Sequence, residues 1–171
     1  MDYGVRITGS GLYFLKDLNF ITDRTYGDFE SAGIKVVRAG EMFAGIQKVA
    51  RRYFIVIFNK DGFLKWYKAL SPDKYYLRDF YDIKPLDRIF FSTDRGVFVL
   101  NRDKTIAKYR NFKDVIKIID KNRFITNSGV IINGKSIKFD DLDIIDGMYN
   151  WENYYFIGYE NESEKGVVCK Y

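Results

Sequence analysis

Apolar residues along this chain come in short runs, and nearly every run is closed by a glycine or a polar turn. Arg88-Ile89-Phe90-Phe91-Ser92, Val97-Phe98-Val99-Leu100 and Thr105-Ile106-Ala107-Lys108-Tyr109 are four or five residues long. They are rich in β-branched and aromatic side chains, which predicts strands. Between such runs stand Asp61-Gly62, Arg95-Gly96, Ser128-Gly129, Asn133-Gly134 and Lys165-Gly166. Asn-Gly and Asp-Gly pairs supply the positive φ angles that tight hairpins need. A helical period is hard to sustain anywhere over about ten residues. The best helical candidate is residues 71–79, where Ser71 can cap and Pro72 can occupy the first helical position.

One phrase recurs. Phe80-Tyr81-Asp82-Ile83-Lys84-Pro85-Leu86-Asp87 returns as Phe112-Lys113-Asp114-Val115-Ile116-Lys117-Ile118-Ile119-Asp120, and again as Phe139-Asp140-Asp141-Leu142-Asp143-Ile144-Ile145-Asp146. A fainter copy begins at Phe43. Glycines 62, 96, 129 and 166 are spaced by 34, 33 and 37 residues, and Gly11 marks a related turn near the start. Aligned on these glycines, a unit reads as three short strands closed by the Phe-x-Asp phrase as a fourth. The approximate units are 1–50, 51–87, 88–120, 121–150 and 151–171, within one all-β domain. The repeated Asp82, Asp114 and Asp141 are expected to bond backbone N–H groups where a strand begins. A residue copied through every unit fits that structural role better than catalysis.

Repeats of about 34 residues with four short strands each resemble the blades of a β-propeller, here with four or five small blades. The resemblance rests on pattern, without a Trp-Asp signature or a kelch glycine pair. It implies a ring in which residues 3–8 pair with the C-terminal sheet. A β-sandwich of hairpins and an open meander are the alternative architectures.

Composition narrows the chemistry. The chain of 171 residues is 47% apolar, enough to bury a core, and holds 15 Phe and 14 Tyr but no histidine. Without histidine there is no Ser-His-Asp or Cys-His triad and no Cys/His zinc site. The single Cys169 cannot form an internal disulfide, and it is expected as a small apolar residue of the last strand in a reducing compartment. The longest purely apolar run, Phe54 to Phe58, is far too short for a membrane helix. No basic-then-hydrophobic leader opens the sequence. The expected location is therefore cytoplasmic or within a virion. No P-loop or EF-hand is present, so no cofactor or metal is expected; Asp140, Asp141, Asp143 and Asp146 form the nearest approach to a cation cluster.

Net charge is +5, divided into +7 on residues 1–120 and −2 on residues 121–171. Basic and aromatic side chains interleave in Lys48-Val49-Ala50-Arg51-Arg52-Tyr53-Phe54 and again over residues 65–78. Candidate binding residues are accordingly Arg51, Arg52, Trp66, Tyr67, Lys74, Tyr75, Tyr76 and Arg78. Tyr, Trp and Arg are favoured at protein interfaces, and the same groups can hold phosphates and stack bases. The expected function is a non-enzymatic module that binds a protein partner. Nucleic-acid binding is the alternative, and a carboxylate-based hydrolase the third. The Tyr3-Gly4-Val5-Arg6-Ile7 opening is faintly similar to small phage virion and tail accessory proteins, which implies a viral structural or accessory role.

Overall fold

A computed structural model describes residues 3–8, 11–16, 19–24, 35–49, 52–70, 80–163 and 165–171, with backbone pairing alone for the strands before residue 35. The helical candidate at 71–79 lies outside the described residues. Among those described, every regular element is a strand. The chain forms two compact units, residues 1–76 and 77–171.

In the first unit, β1 (Tyr3–Thr8), β2 (Gly11–Lys16) and β3 (Asn19–Arg24) form an antiparallel meander. The described partner of β1 is β2, with Tyr3 opposite Lys16 and Thr8 opposite Gly11. A second sheet runs in chain order through β4 (Lys35–Ala39), β5 (Met42–Val49), β6 (Arg52–Asn59) and β7 (Leu64–Leu70). Its apolar run buries Ile55, Val56 and Phe58 beside Phe43, Ala44 and Ile46 of β5. The turn into β7 is closed by Asn59, whose side-chain oxygen accepts from the Phe63 N–H at 2.7 Å.

The second unit contains three sheets, each a meander in chain order. The first comprises β8 (Phe80–Pro85), β9 (Ile89–Thr93), β10 (Gly96–Leu100) and β11 (Ile106–Arg110). The next comprises β12 (Val115–Ile118), β13 (Arg123–Thr126), β14 (Gly129–Ile132) and β15 (Lys135–Lys138). The last has three strands, β16 (Leu142–Tyr149), β17 (Tyr154–Glu160) and β18 (Gly166–Lys170). A register shift interrupts the pairing of the first two strands in every sheet, at Phe80/Asp82, Val115/Lys117 and Ile144/Asp146.

Alternation along β13 and β14 explains how these sheets stack. Phe124 and Ile131 face a core shared with Phe90, Val97 and Val99 of the preceding sheet. Their neighbours Ile125 and Val130 face the other way, into a core with Ile144, Tyr154 and Phe156 of the last sheet. The middle sheet is thus buried on both faces, and Cys169 packs against the second core, half-buried. First strands lie close together, β12 against both β8 and β16.

The predicted turns are present, but Gly96 and Gly129 are the first paired residues of the strands that follow them. Gly62 (φ +82°) lies in the β6–β7 turn, while Gly96 (+130°) and Gly129 (+152°) come directly after the two-residue turns Asp94-Arg95 and Asn127-Ser128. Asn133 and Gly134 both have positive φ, as a type I′ hairpin requires.

The recurring phrase needs two corrections. It opens the next sheet instead of closing the previous one: β12 and β16, which come after Phe112 and Phe139, pair forward with β13 and β17. Its copies are also not all equivalent. Phe112 and Phe139 each precede their strand by three residues, with rings 5.6 and 5.4 Å from Phe124 and Phe156. The Asp114 and Asp141 carbonyls accept from the N–H groups of Asn127 and Asn161 at 3.1 and 3.0 Å. Phe80 instead opens β8, opposite Thr93. The phrase is aligned on the hairpin acids Asp87 and Asp120, yet β8 goes on pairing through Lys84 and Pro85 before its hairpin. Its register therefore slides. Asp82 is consequently inside β8, buried, and its Oδ2 accepts from the Ile118 N–H of the next sheet at 2.7 Å.

Candidate interaction site

Of the residues singled out by sequence, Arg51, Lys74, Tyr75, Tyr76 and Arg78 lie outside the described residues. Arg52 opens β6 opposite Val49. Trp66 and Tyr67 are consecutive on β7, so they point to opposite faces; Trp66 is half-buried, and Tyr67 is exposed with its ring 6.3 Å from Phe54.

A separate cluster converges in residues 77–171. It is built by the hairpins between first and second strands (residues 86–88, 119–122 and 150–153) and those between third and fourth (101–105 and 133–134). Arg88 Nη1 donates to Asn101 Oδ1 at 2.9 Å. Lys121 Nζ sits 3.0 Å from Asp87 Oδ2, and the Tyr109 hydroxyl donates to the Lys121 carbonyl at 3.3 Å. The Asn133 N–H donates to the Asn122 carbonyl at 2.8 Å. These bonds frame an open hollow of about 550 Å³ lined by Leu86, Asp120, Lys121, Asn122, Arg123, Ile132 and Asn133.

Asp120 organises the middle of this face. Its Oδ1 accepts from the N–H groups of Asn122 and Arg123 at 2.8 and 2.9 Å, and its Oδ2 is paired with the Arg123 guanidinium. Burial pushes the carboxyl up, but the Arg123 and backbone hydrogen bonds outweigh it, leaving the pKa below the ordinary value. The hydrogen bond from Lys121 likewise lowers Asp87. A depressed carboxylate stabilises the fold above its unfolded value, ~3.9, and loses that contribution as pH falls through the folded one. Asp120→Asn should therefore cost about 1–2 kcal/mol at pH 7 after allowance for partial exposure. In urea denaturation the deficit should be smaller at pH 3 than at pH 7. An equal deficit at both pH values would contradict the charge-based account.

The Arg123 guanidinium also lies 4.2 Å from the centre of the Tyr149 ring. Tyr149 donates its hydroxyl to the Trp151 carbonyl at 2.6 Å. Trp151 has φ +74° and is 87% exposed. Its turn is closed by the Asn150 N–H donating to the Asn153 carbonyl and the Asn153 N–H to Asn150 Oδ1. Positive φ is unfavourable for a residue with a bulky side chain. An indole in such a backbone, held outward and bare, obtains nothing from the core in return. Tyr154, its ring 4.8 Å from that of Tyr149, is buried, and burial raises the pKa of its phenol. Neither Arg123 nor Trp151 stands out in the sequence; the one readable signal is a tryptophan close between two asparagines at a hairpin tip.

Among the described residues, no group of three or more acidic or thiol side chains converges to hold a metal. Asp146 of the acidic run is instead 3.1 Å from Lys117. Comparison of the chain with protein families, curated proteins and solved structures finds no match.

Proposed function

We propose that this chain is a non-enzymatic protein-interaction module, built as a propeller-like array of small blades, with the hairpin face around Trp151 as its docking surface. Trp151 carries the reading: a large apolar side chain held in a strained, well-bonded turn, beside an Arg–Tyr stack. Trp, Tyr and Arg supply most of the energetically dominant residues at protein interfaces. The middle sheet buried on both faces, and first strands lying against one another, support the blade arrangement. A structural or accessory role in a viral or phage particle is the concrete form of this reading.

The test is affinity capture on the immobilised chain, then titration of the captured protein against wild type and Trp151→Ala. A loss of about 2 kcal/mol, roughly 30-fold, is expected. Equal binding by the variant would remove this face from consideration. Nucleic-acid binding is the second reading, favoured by the fourth strands: β7, β11 and β15 contain no acid and expose Lys65, Lys68, Lys108, Arg110, Lys135 and Lys138. Oligonucleotide binding that collapses between about 50 and 200 mM salt would favour it.

A further inference from the structure

We infer that this chain pairs with a second copy of itself along β18, the outer edge of its three-stranded last sheet. Tyr154 and Tyr171 exchange both backbone bonds at 2.8 Å, which sets the alternation along the β17–β18 ladder. Gly166, Val168 and Lys170 lie opposite Tyr159, Ile157 and Tyr155. By that alternation they turn their N–H and C=O groups away from β17. An edge of this kind is a template for another strand unless something blocks it.

The other two outer strands of residues 77–171 are less suited to pairing with their own copies. In β15 the outward-bonding residues are Ser136 and Lys138, so two-fold pairing sets each Lys138 opposite Ser136 of the copy and leaves the two Lys138 as diagonal neighbours. In β11 the central residue is Lys108, which would face its own counterpart. Like charges directly opposite destabilise a strand pair. β18 differs. Its centre is Val168, and the same operation sets Gly166 against Lys170 of the copy, with no like charges opposed. The outward groups of Gly166, Val168 and Lys170 then satisfy those of the copy in both directions. Val168 is 77% exposed and Ile157 opposite it 51%, so pairing also joins two apolar rows across the axis. The charge pattern of the edges thus favours β18 for self-association over β11 and β15.

Sedimentation velocity on the full chain, between about 1 and 200 µM, tests this, since an interface of one short strand pair corresponds to a Kd on the order of micromolar. A monomer–dimer equilibrium is expected. Val168→Lys, at an exposed position, puts like charges at the axis and should weaken dimerisation by at least about fivefold. Gly166→Glu places an acid opposite Lys170 of the copy, and its Cβ meets nothing within 4 Å; it should tighten the dimer about threefold. A monomer at every concentration overturns the inference, as does a dimer indifferent to both substitutions. A monomer whose Val168 N–H exchanges slowly would also overturn it, and would assign the edge to a strand of the same chain.

Discussion

Phe124→Ala should remove about 4 kcal/mol of stability, most of the margin that a small domain possesses. Phe124 is fully buried in the core shared by the first two sheets of residues 77–171, with Phe90, Val97, Val115 and Ile131 around it and the Phe112 ring 5.6 Å away. Truncation loses the transfer free energy of the ring and leaves a cavity that surrounding strands cannot close. They cannot close it because Ile125, next in sequence, is committed to the core on the opposite face. Chemical denaturation monitored by near-ultraviolet circular dichroism measures the loss. A cost below about 1 kcal/mol would mean that the two sheets do not share a packed core around this ring.

Gly129→Ala should cost about 3 kcal/mol, chiefly through the backbone. Gly129 has φ +152°, and an added Cβ would lie 2.0 Å from the Ile137 carbonyl oxygen. A backbone atom cannot swing aside as a side chain can, so β14 and β15 must separate locally or the turn must rebuild. Gly134 provides the control. It too has positive φ, +82°, but a Cβ there meets nothing within 4 Å. Gly134→Ala should therefore cost only about 1 kcal/mol, the conformational part alone. Equal losses at the two positions, read as shifts in Tm, would show that close approach of the strands contributes nothing.

The all-β character and the hairpins were legible because glycine and asparagine turns are local: Asn133-Gly134 specifies its geometry with two residues. The phasing of the sheets was not. A strand such as Val115–Ile118, apolar on both faces, can pair with the strand before it or the strand after it, and periodicity is the same in either case. Phe80 shows the same limit, since two extra paired residues in β8 shift the register without altering the phrase. The candidate site was harder still. Basic and aromatic residues interleaved along residues 65–70 describe an edge strand with alternating faces as well as they describe a binding surface. Arg123 and Tyr149 are 26 positions apart, and no local pattern announces their contact.

The buried Asp82 has a consequence for how the molecule comes apart. Its carboxylate reaches out of its own sheet to accept the Ile118 N–H of the next, so the two sheets share a buried hydrogen bond. Peeling β8–β11 away would break that bond and leave the Ile118 amide without its acceptor in a half-open core. Arrays of repeats ordinarily fray from an end, one unit at a time. In residues 77–171 both boundaries are cross-wired, the second by the Ile144 N–H donating to the Asn127 carbonyl at 2.7 Å and by Lys117 beside Asp146, so the three sheets should melt as one cooperative body.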